Sequence, residues 1–485
     1  MKVGGVLQVL VAAGVGTGLV YGAGHVDGTL RWDRRGDRIA SVSQPSQALD
    51  QATWTCPGPE LEGQQAGTLA ATPPAQVLAG ITPPVALPAA AGRLQATFLP
   101  DKGTSSTGTL APTSGGLFQN LVQAGRAESI ELTGRSAPGS SVAQYSALET
   151  AQVRGASFVQ CGAATRDGWL LSGGHQPGRA TRLVLSNPGA SAVTVTAEVV
   201  TSAGRDPGSV AGVVVAARTR VVLVLASARP GIDPAIHVTS AGGPVAAWAS
   251  DVWRDGESPV GMAVSGMSAA PARTQVVPVV TASSVVPSVR VANPGGSSAV
   301  VRVRATGANG VIAMEKVISV PAASTAAAAL TGLTPGSYSV QVLSDEPVVA
   351  AAFTRTAARG AADLSWATAA APVTTLTGTG LPAGLAATLG VTAVAGSARV
   401  RVSTVDAGGA LTATTRVITP GTPVIQALPG ARSVWITVVS GSVRAAVTLQ
   451  GTSAKGPLLA TTALAPLPLR SQAIRLVPAD QEAAD

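Results

Sequence analysis

A chain of 485 residues is too long for one ordinary two-sheet domain and has room for roughly three to five. Its hydrophobic content of 46% excludes global disorder, and with aromatics at only 3% the cores must be built from Val, Ala and Leu. The net charge of +8 comes with no Lys/Arg block interleaved with aromatics, which speaks against nucleic acid as a partner.

The first element is apolar. After Lys2, residues 3–24 carry no charge and are mostly Val, Leu, Ala and Gly. About 20 such residues cross the hydrocarbon core as a helix, whereas a cleaved signal has an apolar region of about 7–15. Residues 1–24 are therefore expected to be a transmembrane anchor, with a cleaved signal ending at Gly22-Ala23-Gly24 as the alternative. Arg31, Arg34, Arg35 and Arg38 follow the segment and oppose the positive-inside rule. The body is still expected outside, because two cysteines and a β-rich composition suit that compartment. Gly14, Gly18 and Gly22 have the spacing of close helix pairs, in a chain where Gly is abundant anyway. Residues 25–52 are polar and without periodicity, as in a flexible tether.

Frequent Gly and Pro between short β-branched runs make the body all-β. Residues 53–165 give few strand signals until Arg154-Gly155-Ala156-Ser157-Phe158-Val159-Gln160-Cys161, and are expected to be a divergent β domain. Then self-similarity organises the chain. Leu183-Val184-Leu185-Ser186-Asn187-Pro188-Gly189 matches Val289-Arg290-Val291-Ala292-Asn293-Pro294-Gly295. Val193, Val195 and Ala197 match Ala299, Val301 and Val303, alternating residues of a half-buried strand. Ile236-His237-Val238, followed by Gly243-Pro244-Val245, matches Val340-Gln341-Val342 followed by Glu346-Pro347-Val348. A third copy, lacking the Asn-Pro-Gly turn, reads Arg399-Val400-Arg401-Val402 and later Ile436-Thr437-Val438. Each copy is taken to open on a short apolar run, at Trp169-Leu170-Leu171, Val276-Val277 and Trp366-Ala367. In the turn, Pro fixes φ, Gly permits a positive φ and Asn bonds the neighbouring backbone.

A repeat near 100 residues with short strands predicts tandem immunoglobulin-like or fibronectin-like β-sandwiches. The expected boundaries are 166–268, 269–360 and 361–455, followed by a partly disordered tail over 456–485. The N-terminal segment, Cys56-Pro57-Gly58-Pro59, Cys161 with Trp169 and Gly173-Gly174, and the Asn187-Pro188-Gly189 strand together carry a resemblance. The chain resembles an actinobacterial family of secreted or membrane-anchored proteins of unknown function with Asn-Pro-Gly β-sandwich modules. The resemblance implies location and architecture and supplies no activity or site residue.

Motifs for chemistry are sparse. The histidines are His25, His175 and His237, and neither His-x-x-x-His nor Cys-x-x-Cys occurs, so no metal or cofactor is expected. There is no Gly-x-Ser-x-Gly elbow. Thr452-Ser453-Ala454-Lys455 and Gly378-Thr379-Gly380-Leu381-Pro382-Ala383 read as chance matches to a Ser/Lys pair and a dinucleotide loop. Trp248 and Trp253, five apart, would face opposite ways on a regular strand; Trp253 packs at an edge or stacks on a sugar.

Three expectations about sites and partners follow. Cys56 and Cys161, the only cysteines, should pair in an oxidising compartment. Arg302 with Arg304, and Arg399 with Arg401, lie two apart on matching strands and form a candidate face for an anionic envelope component. Membrane contact runs through the N-terminal helix, and further partners are envelope polymer or envelope proteins. The function expected is a non-catalytic structural or binding protein of the cell envelope. The rival is an enzyme acting on wall polymer, with its site in residues 53–165.

Overall fold

The computed structural model describes residues 39–43, 47–59, 75–81, 93–109, 117–122, 126–150, 153–174, 177–206, 210–225, 233–471 and 474–478. The anchor expected over residues 1–24 and the loop histidine His175 lie outside them. Among the described residues, no helix is long and apolar enough to cross a membrane. The chain divides into two units, one of residues 1–47 with 470–485 and one of Ala48–Leu469. The first unit contains an antiparallel ladder of Ile39–Ser43 with Ile474–Pro478. Part of the expected tether and part of the expected disordered tail are therefore strand, since each supplies the other's main-chain partners.

The second unit is all-β, built from four successive modules of paired sheets. In the first module, Gln51–Cys56, Arg126–Thr133, Arg93–Pro100 and Ser106–Thr109 form one sheet. Arg154–Gln160, Ser140–Glu149, Ala75–Ile81 and Leu117–Val122 form the other. The second module sets Asp167–Leu171, Ala235–Ala241, Val193–Thr201 and Val210–Val215 against Thr219–Val224, Arg179–Asn187, Ala246–Asp255 and Ser258–Ser265. Its core joins Leu183 and Leu185 of one sheet to Val193, Val195 and Ile236 of the other.

In the third module one long strand, Gly336–Arg355, serves both sheets. Its first half pairs with Ala272–Ala282 and Ala299–Thr306, and its second half with Ser288–Asn293 and Leu364–Thr368. The change falls near Pro347, which supplies no ladder N–H. The fourth module pairs Leu376–Gly380, Ala431–Ser440, Ala398–Asp406 and Leu411–Ile418 in one sheet. Val424–Ala427, Ala386–Ala393, Val443–Ser453 and Gly456–Leu464 form its second sheet.

Period two governs burial in the matching strands. Val193, Val195 and Ala197 point inward, as do Ala299, Val301 and Val303, and Ala398, Val400 and Val402. Thr194, Thr196, Val300, Arg302, Arg399 and Arg401 point outward between them. Two expected boundaries move. Leu364–Thr368, with Trp366, closes the third module through its ladder to Ala351–Arg355 and does not open the fourth. Gly456–Leu464, expected as tail, is the fourth module's last strand, with Leu458, Leu459, Ala460 and Leu464 buried. An apolar run at the end of a module looks like one at the start, and only the partner strand tells them apart.

Asn187 and Asn293 occupy the same place in their modules. Asn187 Nδ2 donates to the carbonyls of Ser191, Val215 and Ala216, and its Oδ1 accepts from Gly189 N at 2.9 Å. Asn293 repeats this with Ser297, Val320, Pro321 and Gly295. The glycines do not take the expected positive φ. They admit the Asn oxygen instead, since an added Cβ would lie 3.1 Å from Asn187 Oδ1 at Gly189 and 3.2 Å from Asn293 Oδ1 at Gly295.

Candidate functional site

Each module ends on a strand at the edge of its sheet: Arg154–Gln160, Ser258–Ser265, Leu364–Thr368 and Gly456–Leu464. Edge strands leave main-chain groups unpaired and invite cover. Here they cover one another. The first packs against the second and fourth, and the third packs against the same two, so the four form a ring.

Asp363, just ahead of the third closing strand, ties the ring together. Its Oδ2 accepts the N–H of Ala156 at 2.8 Å and of Leu459 at 2.9 Å. Its Oδ1 accepts Leu364 N at 2.8 Å and Met262 N at 3.3 Å. Each closing strand thus gives one donor to a carboxyl that is 0% exposed. Burial pushes the Asp363 carboxyl up to about 8, against the four N–H groups that pull it down. Room for it comes from glycine. A Cβ at Gly155, where φ is +136°, would lie 2.2 Å from Asp363 Oδ1, and one at Gly261 would lie 2.6 Å from Leu364 N.

Buried arginines join the modules in the same spirit. Arg220 of the second module pairs with Asp101 of the first and donates to Pro57 O at 2.9 Å. Arg290 of the third pairs with Asp233 of the second at 2.6 Å and donates to the carbonyls of Ser172, Gly173 and Pro234. Burial lowers its guanidinium to about 10, with Asp233 pulling the other way, so it is charged at neutral pH. Arg154 of the first donates to Ala362 O of the third and to Pro457 O of the fourth.

At the far end of the ring lies a cavity of about 480 Å³. The strand residues at the carboxyl hub are Ala156, Met262, Leu364 and Leu459, and those at the cavity follow them in every strand, so the four run in the same direction. The floor includes Val159, Val264, Trp248 and Trp366, all at most 4% exposed. Exposed residues such as Gln51, Thr53, Pro466 and Pro468 form the rim. None of the lining side chains is charged. Most polar groups there are already bonded. Gln160 donates from Nε2 to Ser141 Oγ and Gly378 O and accepts from Ala465 N. Trp54 Nε1 donates to Ser140 Oγ, and Trp366 Nε1 to Asp251 Oδ2 at 2.7 Å.

The residues expected from sequence are distributed around this body. Cys56 and Cys161 form a disulfide with a Cα–Cα distance of 4.5 Å, and Cys161 lies in the cavity wall. Arg302 and Arg304 share one carboxylate, Glu315 on the neighbouring strand. Arg399 and Arg401 are exposed on the fourth module and form no ion pair among the described residues. No ion pair or hydrogen bond joins the two arginine pairs among the described residues. Trp248 is core, and Trp253 has the guanidinium groups of Arg355 and Arg179 at 4.4 and 5.1 Å from its ring, which occupies the surface a sugar would need. His237 stacks on Trp169 at 4.5 Å and meets Asp167 at 3.0 Å. Ser453 Oγ donates to Gly456 O while Lys455 Nζ donates to Glu149 O, so they make no dyad. Gly378 lies in a buried strand against Trp435.

Sequence reasoning missed Asp363, the buried arginines and the cavity. One signal for the hub was present: Gly155-Ala156, Gly261-Met262 and Asp363-Leu364 stand at equivalent points of closing strands.

Residues 119–429 match the model of a family described as of unknown function, DUF5719. No curated protein matches the sequence. Among solved structures, one described as the tetra-tandem repeat in the extending region of a large adhesion protein is 14% identical, with a TM-score of 0.10, covering 79% of this chain and 91% of that one. A likeness at that score carries no argument here.

Proposed function

Since the chain belongs to the DUF5719 family, whose function is unknown, we propose that it is a non-catalytic scaffold of the cell envelope. Its modules are immunoglobulin-like or fibronectin-like sandwiches, held outside the membrane by the N-terminal segment of an actinobacterial envelope protein. The observation that carries this reading is the ring of closing strands around Asp363, which makes one body of four modules. Three buried arginines join modules: Arg154, Arg220 and Arg290 all bond across a module boundary. Such a body suits rigid presentation of a surface or a cavity. The Cys56–Cys161 bond supports an oxidising compartment. Arg302, Arg304, Arg399 and Arg401 are the surface offered to an anionic envelope polymer, and envelope proteins are the other class of partner.

Cell fractionation with external protease tests the reading. The chain should sediment with membranes, and protease added to intact cells should remove the body. Full-length chain in the cytosol, or a body protected in intact cells, would overturn it. An N-terminus near His25 would show a cleaved signal in place of an anchor.

A further inference from the structure

We infer that the cavity at the junction of the four modules is a binding site for a small, uncharged, largely apolar molecule bearing one carbonyl-type hydrogen-bond acceptor. Volume is the first argument. About 480 Å³ lies within the range of small-molecule sites, roughly 300–1,000 Å³, and such sites favour boundaries between domains. The wall chemistry is the second. With no charged side chain in the lining, a charged ligand would lose its hydration without gaining a counter-charge, which selects for neutrality.

Among the buried lining residues, two polar side chains are left without a partner. Trp248 is 1% exposed and Thr368 is 6% exposed, and both line the cavity. Neither the Trp248 indole N–H nor the Thr368 hydroxyl has a hydrogen-bond partner among the described residues. The other two lining indoles do, at Ser140 and Asp251. Both donors open onto the cavity, so a ligand acceptor can engage them in place of water. The indole N–H can only donate, and the hydroxyl can also donate, which is why a ligand atom that meets either is an acceptor. They come from the second and third modules, so the site exists only when the modules are joined. This inference concerns the purified chain and stands whether or not the body is extracytoplasmic.

The test uses the full chain in lipid nanodiscs, titrated with Prodan, a neutral naphthyl ketone, and read by tryptophan-sensitised probe emission with empty nanodiscs subtracted. Anilinonaphthalene sulfonate, which is anionic, is the counter-probe. Prodan should bind one per chain with blue-shifted emission, and the anionic probe should not saturate. Trp248→Phe removes the donor together with part of the ring, and should weaken Prodan by about tenfold or more, at least the size of one lost hydrogen bond. Thr368→Val should act in the same direction. Gly266→Leu should weaken binding by occupying part of the cavity, because a Cβ there makes ordinary contacts of 3.5 Å to Val159 and 3.8 Å to Trp248. Equal Prodan affinity in the wild type and all three folded variants, or equal response to both probes, overturns the inference. If Gly266→Leu does not fold, the Trp248 and Thr368 variants decide alone.

Discussion

Asp363 accepts the main-chain N–H of Ala156 at 2.8 Å, joining residues 207 positions apart and the third module to the first. The same carboxyl reaches the second and fourth modules through Met262 and Leu459. A buried group that four modules share should register in global stability, and its ionisation gives a way to read it.

The Asp363 carboxyl sits at about 8 in the fold, against 3.8 as its ordinary value. Between those values the folded chain holds a proton that the unfolded chain has released. Stability contributed by Asp363 is therefore complete below about pH 4, falls as pH rises towards about 8, and is flat above it. Urea midpoints measured from about pH 5 to about pH 9 should decline in the wild type. Asp363→Asn does not titrate and should show a shallower decline, on top of a lower overall stability. Identical slopes in the two proteins would show that this carboxyl does not titrate in that window.

Gly155→Ala should be among the most damaging small substitutions in the chain. The added methyl would sit 2.2 Å from Asp363 Oδ1 and 2.7 Å from Met262 N, at a φ of +136°. Overpacking and backbone strain together should cost about 2–4 kcal/mol, measured by denaturant unfolding. Gly103→Ala is the control. It also has a positive φ, but nothing lies within 4 Å of its Cβ. It should cost less, since only the backbone term remains.

These two positions mark where sequence reading stops. Alternation of inward Val193, Val195 and Ala197 with outward Thr194 and Thr196 is a local pattern, so the strands were legible. So was part of the Asn187 turn, because its bonds to Ser191 O and Gly189 N are local, whereas those to Val215 and Ala216 reach a strand end 28 and 29 residues away. The disulfide followed from a count of two. Asp363 was not legible, because its meaning lies in donors from three other modules, and one Asp between Ala362 and Leu364 has no pattern of its own. The cavity was hidden for the same reason: Val159, Trp248, Trp366 and Thr462 come from four different modules and line one space only after these close. Trp366 was placed in the wrong module because its apolar run looks the same whether it pairs backward with Phe353 or forward.

Loss of the Cys56–Cys161 bond should destabilise the body without changing its fold. The bond spans 105 residues, and closing a loop of about 100 contributes up to about 4–5 kcal/mol in the chain-entropy model. Cys56→Ser with Cys161→Ser should lower the urea midpoint by the corresponding amount. Main-chain bonds between Thr55 and Gly162 at 2.9 and 3.0 Å remain beside the lost bridge, so the strands should keep their register. Alkylation of the unreduced wild type followed by mass spectrometry should find no free thiol.

The exposed arginines give the last test, and the structure splits them into unequal pairs. Arg302 and Arg304 both face Glu315, so three charges leave a net of one positive on that strand face. Arg399 and Arg401 face Val417 and Thr415 across their ladder, and both charges are open to solution. If these strands contact an anionic wall polymer or lipid, the fourth module should dominate. Replacing Arg399 and Arg401 by Gln should weaken binding to anionic vesicles or wall polymer more than replacing Arg302 and Arg304, and the quadruple variant should weaken it most. The salt dependence should flatten in the same order, because exposed charges are screened within about 8–10 Å at physiological ionic strength. Folding should be little affected, since exposed ion pairs contribute about 0–1 kcal/mol and exposed substitutions about 0.5 kcal/mol or less. An unchanged affinity and salt slope in the folded quadruple variant would remove the arginines from any account of what the body touches.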